Sequence, residues 1–261
     1  MAVSFKLLGT GAGPGVPSYY CDCIACREAR ENPLFGRTRS GAFIDTGKEK
    51  ILIDASPDLR SQLLKEQIKS IDYVFITHWH YDHFGGLGDL EFYVKLCRHD
   101  PVKLYLPPEA VVEFHSAYPF LIEVFDIGFW EFGQVYSFEN LILKTLPANH
   151  SIQTAGIFLE AEKKAAYFTD TCGLPHYTAV TIEGTDFLVC DATFHGDNWY
   201  PKSHMNVEEA VRLGRKVNAQ NTVLTHLAMH YSTPVTVALL EEEIKGYPGL
   251  SLAYDGMVIE L

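Results

Sequence analysis

THWHYDHFGG, residues 77–86, places His78, His80, Asp82 and His83 within six consecutive positions. Each of these side chains binds metal ions when deprotonated. They follow the apolar run Tyr73-Val74-Phe75-Ile76, so the stretch reads as a strand delivering its end into a ligand loop. His78 and His80, two apart, point the same way if the chain is extended. Asp82 and His83 then lie on the next bend and face a neighbouring point. Gly85-Gly86 are expected to let the backbone turn tightly close to the ions. One cation on His78 and His80 with a second on Asp82 and His83 is the economical reading. A single histidine is more often a surface or satisfied core residue, but four ligand types packed this tightly form a motif.

Outward from this loop, short β-branched, apolar runs bounded by Gly, Pro, Asp or Asn predict strands. They cover 5–9, 42–45, 50–54, 73–77, 102–106, 141–146, 155–160, 165–169, 187–190, 222–225 and 252–259. Helical patterns occupy 58–66, 206–217 and 236–245; Asn206 is suited to cap the second, with Glu208-Glu209 in its first turn. Many strands with interspersed helices predict an α/β protein with large sheets. Ligand-type residues recur just beyond the predicted strands: His78 after 73–77, His150 a short loop after 141–146, Asp170 after 165–169 and His226 after 222–225. Strand-end loops are where a rigid scaffold places chemistry.

The 261 residues are ample for a sizeable core, and 47% of them are apolar, the composition of an ordinary globular chain read here as one domain, 1–261. The N-terminus shows no basic start followed by a long apolar stretch. The richest apolar segment, 117–132, is interrupted by Pro119, Glu123 and Asp126, short of what a membrane helix requires. A cytoplasmic location without membrane contact is expected. Thirty-three acidic against 21 basic residues give a net charge of −12. No Lys/Arg run supplies the basic field that phosphate backbones require, so a long nucleic acid is not the expected partner. A small anionic substrate remains compatible, because bound cations dominate their local field.

Six cysteines occur, at 21, 23, 26, 97, 172 and 190. Cys21, Cys23 and Cys26, in CDCIAC, have the spacing of a thiolate cluster suited to a structural, tetrahedral Zn²⁺ that needs one more ligand. Cys97, Cys172 and Cys190 read as lone buried thiols.

THWHYDHFGG resembles the ligand loop of the metallo-β-lactamase superfamily. The resemblance extends through Leu8-Gly9-Thr10-Gly11 after the first strand, Asp54 after Ile51-Leu52-Ile53, and the downstream ligands. It implies a four-layer αββα sandwich with a dinuclear site, of Zn or Mn, at one edge between the sheets. By that resemblance one divalent ion takes His78, His80 and His150, a second takes Asp82, His83 and His226, and Asp170 bridges them. GTGAGPGVPSYYCDCIACREA, residues 9–29, resembles the phosphonate-pathway cyclic phosphodiesterase branch, in which such cysteines hold a structural zinc with a histidine shortly after the last active-site histidine. His230 is the matching residue. The family spacing is three beyond that histidine, and here this position is Met229, so either a one-residue shift or another group closes the zinc. A homodimer is what the resemblance suggests.

Two divalent cations about 3.5–4 Å apart lower the pKa of a bound water and polarise phosphoryl oxygens. The expected chemistry is metal-dependent hydrolysis of a small phosphodiester, such as a cyclic ribose phosphate, with Asp82 in the catalytic set. A departing oxygen also needs an acid. His204, before the predicted helix 206–217, resembles the histidine that phosphodiesterase members place beside the site, and its pKa range suits the task. His99, His115, His176 and His195 have no ligand-like company. The aromatic stretch between Tyr118 and Phe138 reads mainly as core, while Tyr19, Tyr20 and Tyr231 are candidates to line the pocket. Processing of tRNA 3′ ends is the nearest enzymatic alternative, opposed by the acidic balance and the lack of a basic arm. A non-catalytic cofactor-binding relative of the pyrroloquinoline quinone synthesis proteins is the alternative outside catalysis. Thioester or lactam hydrolysis does not call for the cysteines, and a flavodiiron site would carry an acidic residue in place of His80.

Overall fold

The computed structural model describes residues 2–231 and 233–261. Its strands are β1 (Ser4–Gly9), β2 (Gly41–Asp45), β3 (Lys50–Ile53), β4 (Tyr73–Phe75), β5 (Val102–Leu106), β6 (Phe125–Phe129), β7 (Val135–Phe138), β8 (Leu141–Ala148), β9 (Thr154–Glu160), β10 (Lys164–Phe168), β11 (Phe187–Asp191), β12 (Asn221–Thr225), β13 (Leu250–Leu252) and β14 (Val258–Glu260). They form two seven-stranded mixed sheets, ordered β14-β1-β2-β3-β4-β5-β6 and β13-β12-β11-β10-β9-β8-β7. The helices are α1 (Ile24–Glu31), α2 (Leu59–Lys65), α3 (Tyr81–Phe84), α4 (Leu90–Tyr93), α5 (Ala110–Ala117), α6 (His176–Thr181), α7 (Val207–Lys216) and α8 (Val237–Ile244).

The period-two alternation of side chains along each strand explains the layering. In β10, Ala165 and Tyr167 face the other sheet while Ala166 and Phe168 face helices. In the β4 segment Phe75 points between the sheets, and Val74 and Ile76 point outward. Three apolar cores result. The central one joins Phe5, Leu7, Ile44, Ile53 and Phe75 of the first sheet to Leu143, Ile157, Leu159, Tyr167 and Val223 of the second. One outer core sets Leu59 of α2, Leu90 of α4 and Phe114 of α5 against the first sheet. The other sets Ala25 of α1, Leu213 of α7 and Leu240 of α8 against the second. Burying each large side chain is worth roughly 1.5–3 kcal/mol. The arrangement is the four-layer αββα sandwich that the resemblance implies.

α7 starts on a capping box: Glu209 N–H donates to the Asn206 side chain at 2.9 Å, and Asn206 N–H donates to the Glu209 carboxylate at 2.8 Å. Two of the orphan donors at this end are thereby satisfied, so the chain leaving residues 192–206 is fixed in direction.

Several expectations need correction. The segment predicted as one strand at 252–259 is two, β13 and β14, in different sheets, because a turn with Gly256 at φ +98° separates them. β6 and β7 were not predicted, since an aromatic run with exposed faces does not alternate cleanly. Phe120, Phe129 and Phe132 are exposed rather than core. Cys97 is exposed, at the end of a helical segment, whereas Cys190 is buried and Cys172 half-buried. Gly85 and Gly86 serve packing rather than approach to ions. A Cβ on Gly86 would stand 2.1 Å from the Ser56 carbonyl oxygen. Among the described residues, no helix is long and apolar enough to cross a membrane.

Candidate metal centre

β1 and β3 both pair antiparallel with β2, and β4 runs parallel to β3, so these three strands end on the same edge. In the second sheet β10, β11 and β12 are parallel, and β8 shares their direction through β9. Asp54, His78, His150, Asp170, Asp191 and His226 all stand at or just beyond the C-terminal ends of these strands. Asp54 and His226 have φ of +61° and +55°. Left-handed backbone at a non-glycine residue costs about 1 kcal/mol or more and persists where surrounding structure enforces it. Here it turns two side chains sharply off their strands into the cleft.

The loop after β4 supplies the next ligands. His80 is extended, at φ −101° and ψ 144°, and α3 then begins, with Asp82 and His83 in its single turn. The two groupings implied by the resemblance are brought together. Donor atoms of His78, His80 and His150 lie within 4.8 Å of one another, and so do those of Asp82, His83 and His226. Asp170 stands between the groups. Its Oδ1 is 3.8 Å from His78 Nε2 and 3.4 Å from His226 Nε2, and its Oδ2 is 3.1 Å from His83 Nε2. Two donors held by one tetrahedral ion at about 2.1 Å would lie about 3.4 Å apart.

The second nitrogen of each ring decides what the first can do. His83 Nδ1–H donates to Asp54 Oδ2 at 2.7 Å. His150 Nδ1–H donates to the Ser203 carbonyl at 2.8 Å. Thr77 Oγ1 lies 2.9 Å and 3.0 Å from the Asp54 oxygens and donates there, which leaves it to accept from His78 Nδ1 at 3.0 Å. Thr193 Oγ1 likewise reaches Asp191 Oδ1 at 3.0 Å and His226 Nδ1 at 2.8 Å. The Nε2 atoms of His78, His83 and His226 therefore carry lone pairs. All three, with Asp170 Oδ2, are buried and make no hydrogen bond among the described residues. Unpaired buried acceptors each cost about 1–3 kcal/mol, and four aimed into one space fit a cation. Gly13 borders this space: a Cβ there would lie 3.0 Å from Asp82 Oδ2.

Burial holds the His78 and His226 imidazoles below their ordinary pKa, His78 well below. Burial and then His150 hold His80 down. Burial also opposes charge on His83, but Asp170, Asp54 and Asp82 together outweigh it and hold its pKa well above the usual value, so a cation taking the Nε2 lone pair would have to displace a proton from it. Asp170 is held well below the carboxylate range, because His226, His83 and His78 outweigh its burial.

His204 lies beside this cluster. Its ring stacks on His226 at 5.2 Å, and its Nδ1–H donates to Asp191 Oδ2 at 2.7 Å. Nε2 is left to the open side of the cleft. Burial opposes the imidazolium, but the hydrogen bond and charge of Asp191, with Asp170 and Asp82, raise its pKa. Asp191 and the two threonines were not picked from sequence. Asp191 directly follows the predicted strand 187–190, so the strand-end rule that selected Asp170 and His226 would have found it.

The cysteines form a separate cluster. Donor atoms of Cys21, Cys23 and Cys26 lie within 4.8 Å of one another. His230 Nδ1 is 3.8 Å from Cys26 Sγ; a thiolate and an imidazole on one tetrahedral zinc stand about 3.6 Å apart. Met229, at the family spacing, is turned away, its Sδ 3.1 Å from Arg37 Nε. His230, one residue beyond that position, is the histidine that stands beside Cys26. Burial pushes the Cys26 thiol up to about 12, so thiolate there requires a cation. Tyr19 and Tyr20 are exposed near this segment, while burial pushes the Tyr231 phenol up to about 12, with Tyr20 and Asp82 adding.

Comparison with known proteins agrees with this architecture. The solved structure described as a new diphosphatase from the PhnP family superposes with a TM-score of 0.86 at 26% identity, covering 99% of this chain and 98% of that one. Ribonuclease Z of Myxococcus xanthus is 24% identical over 289 residues, 88% of this chain and 94% of that protein. An octanoyltransferase of Porphyromonas gingivalis is 43% identical over 99 residues, which is 38% of this chain but only 19% of that protein. The family described as the beta-lactamase superfamily domain matches residues 49–227, well over half of the chain and the whole span from β3 to just past His226. The chain belongs to the β-lactamase superfamily.

Proposed function

We propose that this protein is a metal-dependent phosphodiesterase acting on small phosphate esters. One observation carries the reading: three imidazole nitrogens and a carboxylate oxygen, all buried and unpartnered, converge around Asp170. His78, His80 and His150 would hold one divalent cation, Asp82, His83 and His226 a second, and Asp170 would be shared. Such a pair supplies Lewis acidity toward phosphoryl oxygens and a hydroxide at neutral pH. Zn²⁺ and Mn²⁺ both suit the donor set.

The chain's own groups do the rest. Asp54, Thr77, Thr193 and the Ser203 carbonyl lock ring tautomers, so no imidazole reorganises when substrate arrives. Asp191 fixes the His204 ring and favours its charged form, keeping a proton on Nε2 at the mouth of the cleft. Delivered to the departing oxygen, that proton leaves a neutral ring still bonded through Nδ1–H to Asp191. One proton taken up from solvent at Nε2 then restores the imidazolium. The related diphosphatase structure supports a phosphoryl substrate, and the acidic balance of the chain favours a small one over a polynucleotide. Cys21, Cys23, Cys26 and His230 would hold a structural zinc.

Hydrolysis of bis(p-nitrophenyl) phosphate with added Mn²⁺ or Zn²⁺ tests the proposal. Turnover is expected, with loss of several orders of magnitude in Asp170→Asn. His204→Ala is expected to slow an alkyl diester at least 100-fold and the nitrophenyl ester far less, since nitrophenolate leaves without a proton. Absence of turnover with every divalent ion, together with unchanged ligand binding in Asp82→Ala, would favour the non-catalytic reading. Cleavage of precursor tRNA in preference to small esters would favour the tRNA 3′-processing alternative.

A further inference from the structure

The turn that carries His204 also carries two large aromatic residues with no evident core role. Trp199 is 59% exposed and Tyr200 49% exposed. Their neighbours are aromatic as well: Trp199 lies 5.2 Å from Phe194 and 5.5 Å from Tyr231 between ring centroids, and the Tyr200 ring is 6.1 Å from His204. Phe194 is buried beneath them. These rings form a continuous aromatic surface that begins at the imidazole assigned to the leaving group.

The surface is held in place. The Tyr200 carbonyl accepts from Ser203 N–H at 3.1 Å and from His204 N–H at 3.2 Å, so Tyr200 and His204 belong to one hydrogen-bonded turn. Asn198 braces it: its Nδ2 donates to the His204 carbonyl at 2.8 Å and to Glu209 at 3.0 Å, and its Oδ1 accepts from Tyr200 N–H at 3.0 Å. The neighbouring Ser203 carbonyl positions His150. A turn this constrained does not expose a tryptophan through looseness. Exposing rigid aromatic faces to water is unfavourable, and beside a reaction centre it fits recognition of a flat ring.

Resting on the proposed phosphodiesterase reading, we infer that the leaving group of the substrate carries a nucleobase, which stacks on Trp199 and Tyr200 while His204 protonates the departing oxygen. The aromatic surface adjoins His204, the Tyr200 ring lying 6.1 Å from the imidazole, so a base carried by the group that His204 protonates lies within its reach. Stacking tolerates any base, because each presents a π-face.

The test compares adenosine 2′,3′-cyclic phosphate with glycerol 1,2-cyclic phosphate, which share a five-membered cyclic diester and differ in the base on the skeleton that bears the departing oxygen. The parent is expected to prefer the adenosine compound in kcat/KM, and Trp199→Ala to shrink that preference at least fivefold, with Trp199→Phe restoring most of it. An equal loss on both compounds, or no preference in the parent, overturns the inference. Should neither compound be hydrolysed, adenosine 5′-monophosphate titrated against tryptophan fluorescence decides separately. Quenching that disappears in Trp199→Phe supports the stacking surface even if the reaction is of another kind, and its absence in the parent removes it.

Discussion

Asp54→Asn isolates one hydrogen bond at the base of the site. Asp54 Oδ1 accepts from Thr77 N–H at 2.8 Å, and Oδ2 accepts from His83 Nδ1–H at 2.7 Å. Asparagine has the same shape and is among the residues that tolerate the left-handed φ of +61° seen here. Its carbonyl can keep the Thr77 N–H, which puts its NH₂ group against the His83 Nδ1–H, donor to donor. His83 escapes by shifting its proton to Nε2, but that consumes the lone pair facing Asp82 and Asp170. Losing an orienting partner of this kind costs about 10–100-fold in metal affinity, or about 1.4–2.8 kcal/mol. Competition against a chromophoric chelator should show one of two Zn²⁺ or Mn²⁺ equivalents weakened by that factor, with circular dichroism unchanged. Asp54→Ala is different in kind, since it strands the Thr77 donors and a buried imidazole and should cost about 3–5 kcal/mol of stability as well. Parental affinity for both equivalents in Asp54→Asn would refute the tautomer argument, and with it the role of His83 as an Nε2 ligand.

Three further outcomes follow from other parts of the molecule. In Asp191→Asn the anion that raises the His204 pKa is gone, so the alkaline limb of the pH–rate profile, where the general acid loses its proton, should move to lower pH; a shift upward would contradict the assignment. His230→Ala should lower zinc content per chain and the melting temperature. His230 and Cys26 are 204 positions apart, so a cross-link between them removes on the order of 5 kcal/mol of chain entropy, equivalent to roughly 10 °C at this size; unchanged zinc and melting would exclude His230 from that cluster. Gly156→Ala would set a Cβ 1.9 Å from the Phe168 ring, and chemical denaturation should register a loss of at least about 1–3 kcal/mol.

The sequence made the candidate ligands legible because their signal is local or positional. Four sit in one loop, and His150, Asp170 and His226 each follow a β-branched run, so strand recognition located them. The groups that orient them are less visible. Asp54 and Asp191 also stand at predicted strand ends, but position alone does not give their role, which shows only in partners 29 and 13 positions away. Thr77 and Thr193 look like ordinary strand-end threonines. The fold was legible where strands are buried and periodic. It was hidden at the edges, where β6 and β7 expose aromatic faces, and at 252–259, where one apolar run is cut by the turn at Gly256. Ile24–Glu31 escaped as a helix because its only loud residues are cysteines, which advertise metal chemistry rather than backbone conformation.

The two clusters are mechanically one device. His226 and His230 lie on a single segment, and between them Leu227 N–H donates to the Thr10 carbonyl at 2.9 Å while the Leu227 carbonyl accepts from Ala12 N–H at 3.3 Å. The loop 10–16 is thus stitched to the segment that presents His226, and its Gly13 lies against Asp82. Arg39 Nε donates to the Gly13 carbonyl at 2.7 Å, and buried Arg37 reaches Thr10 Oγ1 at 2.9 Å. Fixing Cys21, Cys23 and Cys26 to His230 closes this circuit from the other side. A cation held by Cys21, Cys23, Cys26 and His230 would remove slack from the loop that borders Asp82 and from the strand end that aims His226. Precision around Asp82 and His226 would then be built partly from residues outside their own cluster.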